Sequence, residues 1–119
     1  MSKQDISTDE NIEKIVRLQY KQLLEDEDTK GKFAHLHLEE HLPRIFGFWK
    51  MVIFAQPMAY TGNAFQPHLK LGLEKIHFVK WVDFFTQSVD SQFEGPNAEK
   101  AKAHAKLMSA IFQPKLGIQ

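Results

Sequence analysis

Two histidines in this 119-residue chain are placed where they could act on one ligand. His68 follows a break marked by Gly62 and Pro67, and His41 opens an aromatic-rich amphipathic segment further upstream. Because they belong to different predicted helices, the two imidazoles could face each other across a flat apolar group. A single neutral imidazole can hold the iron of haem, and the rest of such a site needs apolar and aromatic side chains. The ten phenylalanines of the chain can supply those side chains.

Each of these histidines also has a plainer interpretation as a hydrogen-bonded residue of the core or its boundary, and spacing alone favours it. The other four histidines have plainer expected places. His35 and His37 lie in an acidic connector and are expected to be exposed. His77, near a helix start, is expected to be a cap or a surface residue, and His104 is expected in solvent on the last helix. Most of the phenylalanines are expected to pack in the core whether or not a ligand is bound.

Several other kinds of site are disfavoured. A zinc site needs three or four ligands, and His37, Glu40 and His41 form a partial set with no second cluster. The absence of cysteine excludes disulfides, thiol catalysis and Cys-ligated zinc. The sequence has neither a Gly-x-Ser-x-Gly elbow nor a phosphate-binding glycine loop, so hydrolase and nucleotide-binding interpretations have no support.

The charge of the chain is balanced overall but unevenly distributed. A formal net charge of zero argues against a nucleic-acid partner or an anionic membrane surface. Residues 1–40 hold ten acids and six bases (−4), whereas residues 41–119 hold five acids and nine bases (+4), so a packed domain should join the two parts. No apolar run is long enough for a membrane span, and the polar N-terminus lacks a signal-peptide core. The cytoplasm is the expected compartment.

The N-terminal third predicts an amphipathic helix. Ser7-Thr8-Asp9-Glu10 has the pattern of a capping box. The buried face is predicted from helical spacing: Ile12, Ile15, Val16, Tyr20, Leu23 and Leu24. The acidic run at 25–28 is expected to form a solvated turn, and residues 30–37 a short helical or irregular connector that contains Phe33 and Leu36.

Three further helices and one weak helical segment follow. One helix is predicted from His41 to Ala55, with Pro43 in its first turn. Its inward stripe would hold His41, Ile45, Phe48 and Val52, with Trp49 beside it. A short helix at Ala64–Leu71 is plausible despite Pro67.

The next long helix is predicted over Glu74–Phe93. Its inward residues would be Ile76, Phe78, Val79, Trp81, Val82, Phe85 and Val89. Gly95-Pro96 would start the last helix and Pro114 would end it, with Ala101, Ala105, Met108 and Phe112 buried. Because no segment alternates in the manner of a strand, the chain is predicted to form a single all-α domain over residues 1–119.

In their order and spacing these residues resemble the truncated globins, most closely the bacterial group III. The resemblance covers roughly a hundred positions. It rests on His41-Leu42-Pro43-Arg44, Phe48-Trp49, Tyr60-x-Gly62, His68, His77-Phe78-x-x-Trp81 and Phe84-Phe85. The chain departs from the pattern at Ala64, where proline is common, and at Pro67, directly before the histidine. The resemblance implies a shortened globin fold, a two-on-two helical sandwich around haem, with the proximal helix largely replaced by loop.

The resemblance also implies a role for individual residues. His68 matches the proximal histidine that ligates iron. Tyr20 and Trp81 match the distal tyrosine and the tryptophan whose indole points into the pocket. His41 matches the distal-helix histidine, as a gate, a propionate contact or an iron ligand. Contacts with the cofactor are further expected from Arg44 at a propionate and from Phe33, Ile45, Phe48, Trp49 and Phe78.

The implied function is binding of dioxygen, nitric oxide or carbon monoxide at haem b (iron protoporphyrin IX). Hydrogen bonds to a charged group contribute about 1.5–3 kcal/mol each, so the phenol and indole donors predict high oxygen affinity and slow release. Two alternatives stay open. The protein could be a haem enzyme, a nitric oxide dioxygenase or peroxidase-like, served by an unidentified reductase. It could also be a cofactor-free helical interaction module.

Overall fold

The structure, a computed structural model, describes residues 3–34, 38–55 and 73–115. These residues form five helices: α1 (Asp9–Glu25), α2 (Lys30–Phe33), α3 (Leu38–Phe54), α4 (Lys75–Gln92) and α5 (Pro96–Lys115). Within these ranges there is no strand, only an isolated bridge between Gln4 and Phe93. The all-α prediction is confirmed. The short helix expected at Ala64–Leu71 and the connector residues 35–37 lie outside the described residues.

The four long helices form two layers. Helix α1 packs on α3 and α4, while α5 packs on α4 and α3, so the α1/α3 pair lies across the α4/α5 pair. The short α2 packs against α1. The apolar residues of the four long helices meet between these layers in one core. No helix in the described ranges combines the length and apolar character needed to cross a membrane.

Helix α1 has the predicted buried face, with small corrections. Leu24 is 39% exposed, whereas the other five predicted residues are buried. The capping box lies one residue later than predicted: the Thr8 hydroxyl accepts from the Asn11 backbone N–H at 3.2 Å. The Asn11 side-chain oxygen in turn accepts from the Thr8 backbone N–H at 3.1 Å. The Asn11 amide therefore makes the return hydrogen bond that the predicted capping box assigned to the Glu10 carboxylate.

Helix α3 differs from its prediction in two respects. It begins at Leu38, so Pro43 lies inside the helix and removes one backbone hydrogen bond there. Its buried large apolar side chains are Leu42, Trp49 and Ile53, whereas the predicted stripe of His41, Ile45, Phe48 and Val52 is only half-buried. The reason is that α3 packs on both α1 and α5. The face of α3 that meets these two helices is therefore the one that carries Leu42, Trp49 and Ile53, next to the predicted stripe.

Helix α4 matches its predicted limits to within a residue at each end, with Glu74 and Phe93 as caps. Phe78, Phe85 and Val89 are buried as predicted, and Trp81 and Val82 are half-buried. The inward prediction is wrong for two residues, Ile76 and Val79, which are 41% and 42% exposed.

Helix α5 starts at Pro96 as predicted, and its N-terminus is capped from the other end of the chain. The Asp5 carboxylate accepts hydrogen bonds from the backbone N–H groups of Asn97 and Ala98, each at 2.9 Å. Gly95 has φ +139°, and a Cβ there would lie 2.6 Å from the Asp5 Cγ. Glycine therefore provides both the backbone conformation and the space for the carboxylate. The helix continues one residue past Pro114, and Met108 is half-buried where burial was predicted.

Replacing Asp5 by alanine is expected to lower the free energy of unfolding by about 1 kcal/mol at neutral pH, as for other lost caps. Burial alone would raise the pKa of Asp5, but hydrogen bonds from the Asn97, Ala98 and Ile6 backbone N–H groups lower it overall. A lowered folded pKa means that the stabilisation is present above the unfolded value of about 3.9 and is lost as the pH falls through the folded value. Urea unfolding at pH 7 and pH 3 measures both effects.

The matched control for this prediction is Asp83→Ala, which removes an exposed aspartate from α4. It should leave the urea midpoint nearly unchanged at both pH values. Equal stability of the wild type and Asp5→Ala at pH 7 would contradict the capping role, as would a stability difference that is undiminished at pH 3.

Candidate functional site

A cleft opens between α4 and α5 beside α2. The described residues that line it come from these three helices and from the chain just before α4: Phe33, Leu73, His77, Phe78, Trp81, Met108, Ser109 and Phe112. Most of the lining is apolar or aromatic, with an imidazole and a hydroxyl as polar groups, which is the usual composition of a cofactor pocket.

Tyr20 lies behind this lining, on the buried face of α1. Its ring meets Phe33 edge to face, with 5.9 Å between ring centroids. Burial raises the pKa of the Tyr20 phenol to about 12, and a hydrogen bond from Trp81 acts more weakly in the opposite direction. The phenol is therefore protonated at physiological pH and keeps an O–H that can donate a hydrogen bond.

Trp81 connects the cleft to a row of stacked rings. Its indole stacks on Phe85 with centroids 6.0 Å apart, and Phe85 stacks on Trp49 at 4.4 Å. The indole can only donate, and its one hydrogen interacts with the Tyr20 oxygen. The Tyr20 phenol hydrogen therefore remains available for a hydrogen bond to a group other than Trp81.

His77 is a lining residue whose ring orientation is set by the start of α4. Its Nδ1 accepts a hydrogen bond from the Glu74 backbone N–H at 2.7 Å, and the residue is 6% exposed. The capping role considered for it is confirmed, and the surface role is wrong. Because Nδ1 is an acceptor, the neutral imidazole carries its proton on Nε2. The three-residue spacing from Glu74 was the available sequence signal.

Gln19 is a second residue that the pattern of apolar side chains did not reveal. It is fully buried on α1, and its Nε2 donates to the Trp81 backbone carbonyl at 2.9 Å. Its one sequence signal is a polar residue in register with Ile12, Ile15 and Val16 on the inward face. Residues 19 and 20 therefore both contact Trp81, one through its backbone and the other through its side chain.

The structure brings only part of the predicted site together. Phe33, Phe78 and Trp81 line the cleft, with Tyr20 directly behind. On α3, the remaining predicted contacts are Arg44, which is exposed, the half-buried His41, Ile45 and Phe48, and the buried Trp49. None of these α3 residues is among the described residues that line the cleft, and Trp49 reaches Trp81 only through Phe85. The predicted iron ligand, His68, lies outside the described residues.

His104 is not solvated as predicted. It is half-buried, with its ring 5.9 Å from Phe48 and 6.4 Å from Trp49 between centroids. Desolvation lowers the pKa of His104, so its neutral form is favoured. It belongs to the packing between α3 and α5. Over the described ranges, no group of three or more histidine or carboxylate side chains is placed to hold a metal ion.

Ion pairs between the acidic and basic parts of the chain hold α4 against the turn that follows α1. Lys80 Nζ lies 2.9 Å from the Asp26 carboxylate and 3.4 Å from that of Asp28. The bond from Lys80 lowers the pKa of Asp26, which is half-buried, so the acidic turn is not simply solvated as predicted. A second pair, Lys50 with Asp9 at 3.2 Å, joins α3 to α1.

The architecture matches a solved structure over nearly its whole length. It is similar to the crystal structure of a group III truncated hemoglobin from Campylobacter jejuni, with a TM-score of 0.82. The match covers 96% of this chain and 94% of that one, at 21% sequence identity. This chain has a truncated-globin fold. No family model matches the sequence, and no curated protein matches it either.

The truncated-globin fold accounts for the helix arrangement described above. The predicted two-on-two sandwich is confirmed, with α1 and α3 as one pair and α4 and α5 as the other. The low identity means that the same helix geometry is built from largely different side chains. The chemistry of the site therefore has to be argued from the residues of this chain.

Proposed function

We propose that this protein binds haem b and, through it, diatomic gases, with high affinity for dioxygen. The observation that carries the proposal is an aromatic cleft, in a truncated-globin fold, with a buried and protonated phenol directly behind its lining. The structurally similar protein from Campylobacter jejuni is itself a hemoglobin. The sequence resemblance, which adds His68 and His41 to the residues at the cleft, supports the same conclusion.

The lining residues fit a porphyrin. Phe33, Phe78, Trp81 and Phe112 offer flat or apolar surface, and the polar groups among them are few. Removing several hundred square ångströms of apolar porphyrin surface from water is worth on the order of 10 kcal/mol before ordering costs. We assign iron ligation to the His68 imidazole on the strength of the sequence resemblance, because a neutral histidine nitrogen is the common globin ligand.

When bound, haem supplies an iron centre that takes up dioxygen, nitric oxide or carbon monoxide. The protein supplies the surroundings. The aromatic lining excludes water, which strengthens hydrogen bonds made inside the cleft. We assign Tyr20 as the donor toward the gas, because its phenol carries an O–H and lies directly behind the lining residues Phe33 and Trp81. Trp81, whose indole hydrogen interacts with the Tyr20 oxygen, orients that phenol.

Hemin titration of the purified chain tests this proposal. The wild type should develop an intense haem absorption band that saturates at one equivalent, and His68→Ala should alter or abolish that band, since axial imidazole ligation is lost. His104→Ala is the matched control, because this imidazole packs against Phe48 and Trp49 rather than lining the cleft. A chain that stays colourless, or a band unchanged by His68→Ala, refutes the proposal.

A further inference from the structure

Gln19 makes a hydrogen bond between α1 and α4. Its side chain is fully buried, and Nε2 donates to the Trp81 carbonyl oxygen at 2.9 Å. Trp81 lies in the interior of α4, where its carbonyl already accepts the N–H of the residue four positions on. The bond from Gln19 is therefore an additional link between α1 and α4, made at the residue that carries the indole.

Stability alone does not explain an amide at this position. The Gln19 Oε1 is buried and accepts no hydrogen bond from the part of the chain that the structure describes. A buried acceptor without a donor is unfavourable, and an apolar side chain of the same shape is often neutral or stabilising. Methionine would fill the space without that penalty. What the amide provides, and methionine does not, is the bond to Trp81.

The two consecutive residues of α1 contact Trp81 at two points. Gln19 donates to its backbone carbonyl at 2.9 Å, and the Tyr20 phenol lies beside its indole, which lowers the phenol pKa against the larger effect of burial. We propose that Gln19 is a positioning residue: by bonding to the Trp81 carbonyl it fixes α4 against α1 at the height at which the Trp81 indole lies beside the Tyr20 phenol. Gln19 touches neither haem nor gas in this role. The inference rests on the proposed function insofar as the phenol is the donor toward the bound gas.

The consequence for the phenol follows from hydrogen-bond chemistry. A tryptophan N–H can only donate, whereas a phenol both donates and accepts. While the indole donates to the phenol oxygen, the hydrogen of Tyr20 is directed to a different acceptor. If α4 slides or rotates relative to α1, the indole leaves the phenol, and the direction of the phenol hydrogen is no longer restricted.

The chain contains a matched control for Gln19. One turn further along α1, Gln22 Nε2 donates to the Ser88 Oγ on α4 at 3.1 Å. Gln22→Met thus removes a polar link between the same two helices without touching Trp81. Gln19→Met removes the link at Trp81, and Gln19→Leu provides a second apolar variant should the first fail to fold.

The first measurement is the pair of indole N–H signals in nitrogen-edited NMR spectra of the full chain, which has two tryptophans. The signal that disappears in Trp81→Phe is assigned to Trp81. In Gln19→Met this signal should move, and its hydrogen exchange should quicken at least about threefold, as the loss of one hydrogen bond implies. Gln22→Met should leave it in place. In the haem-loaded protein, oxygen release should quicken about three- to tenfold in Gln19→Met and stay unchanged in Gln22→Met.

Two results would overturn the inference. One is a Trp81 indole signal that is unaffected in both Gln19 variants. The other is an equal change in Gln19→Met and Gln22→Met, which would indicate general loosening between α1 and α4. The indole measurement needs no haem. If the chain takes up no hemin, the proposed function fails, while the indole signals still decide whether Gln19 positions Trp81.

Discussion

Oxygen release from haem-loaded Tyr20→Phe is expected to be about ten- to a hundredfold faster than from the wild type. Under the proposed function, the O–H of this buried phenol would donate a hydrogen bond to the bound gas. A hydrogen bond to a charged acceptor contributes about 1.5–3 kcal/mol, and its loss appears mainly in the dissociation rate. Phenylalanine keeps the ring that packs edge to face against Phe33, so the change is confined to the hydroxyl. Stopped-flow displacement of oxygen by carbon monoxide measures it.

Trp81→Phe provides the comparison for this prediction. The sequence predicted the indole as a second direct donor, whereas in the structure the indole lies beside the Tyr20 phenol and acts on it as a donor. We therefore expect a smaller acceleration in Trp81→Phe than in Tyr20→Phe, because the phenol loses its orientation but remains present. Unchanged release rates in both variants would remove the proposed hydrogen-bonding pair altogether.

Phe85→Ala is expected to cause the largest loss of stability, about 3–5 kcal/mol in the free energy of unfolding. Phe85 is 1% exposed, and its ring stacks on both Trp49 and Trp81. Alanine would leave a cavity between two indoles and remove two aromatic contacts, each worth about 0.5–1.5 kcal/mol beyond area burial. Because a domain of this size has a total stability of about 5–15 kcal/mol, the urea midpoint should fall steeply.

The adjacent Phe84 gives a control of identical chemistry. It is half-buried, and its ring lies 5.9 Å from the Lys80 ammonium, measured to the centroid. Phe84→Ala should lose less than half as much stability, since its ring is already partly in water. Equal losses in Phe84→Ala and Phe85→Ala would show that the stacked row is not the centre of the core.

The sequence predicted the helices best where one face of each meets the core. The buried face of α1 and the limits of α4 follow from helical spacing, and both are confirmed apart from Leu24 on α1. On the inward face of α4 the prediction fails at Ile76 and Val79, which are exposed. It predicted α3 less well. That helix contacts neighbours on two sides, and a one-dimensional pattern cannot show which row of side chains will face which neighbour.

The sequence predicted the residues of the candidate site that match a known family pattern. It did not predict residues that act by orienting another residue. Tyr20, Trp81, Phe33 and Phe78 were expected near the cofactor, and the structure brings them together at one cleft. Gln19 was not expected, because a polar residue on an apolar face has no meaning until its partner on another helix is known. The same holds for Asp5, whose carboxylate caps a helix that begins ninety-one residues later.

The sequence by itself determined the helical class, the absence of cysteine chemistry and the set of side chains able to line a haem pocket. These depend on composition and on the short-range periodicity of a helix. Only the tertiary structure decided which side chains meet: the pairing of α1 with α3 over α4 with α5, the amide at the Trp81 carbonyl, and the indole beside the phenol. Such contacts join residues that are distant along the chain, and their geometry depends on how whole helices pack. No local pattern of residues contains that information.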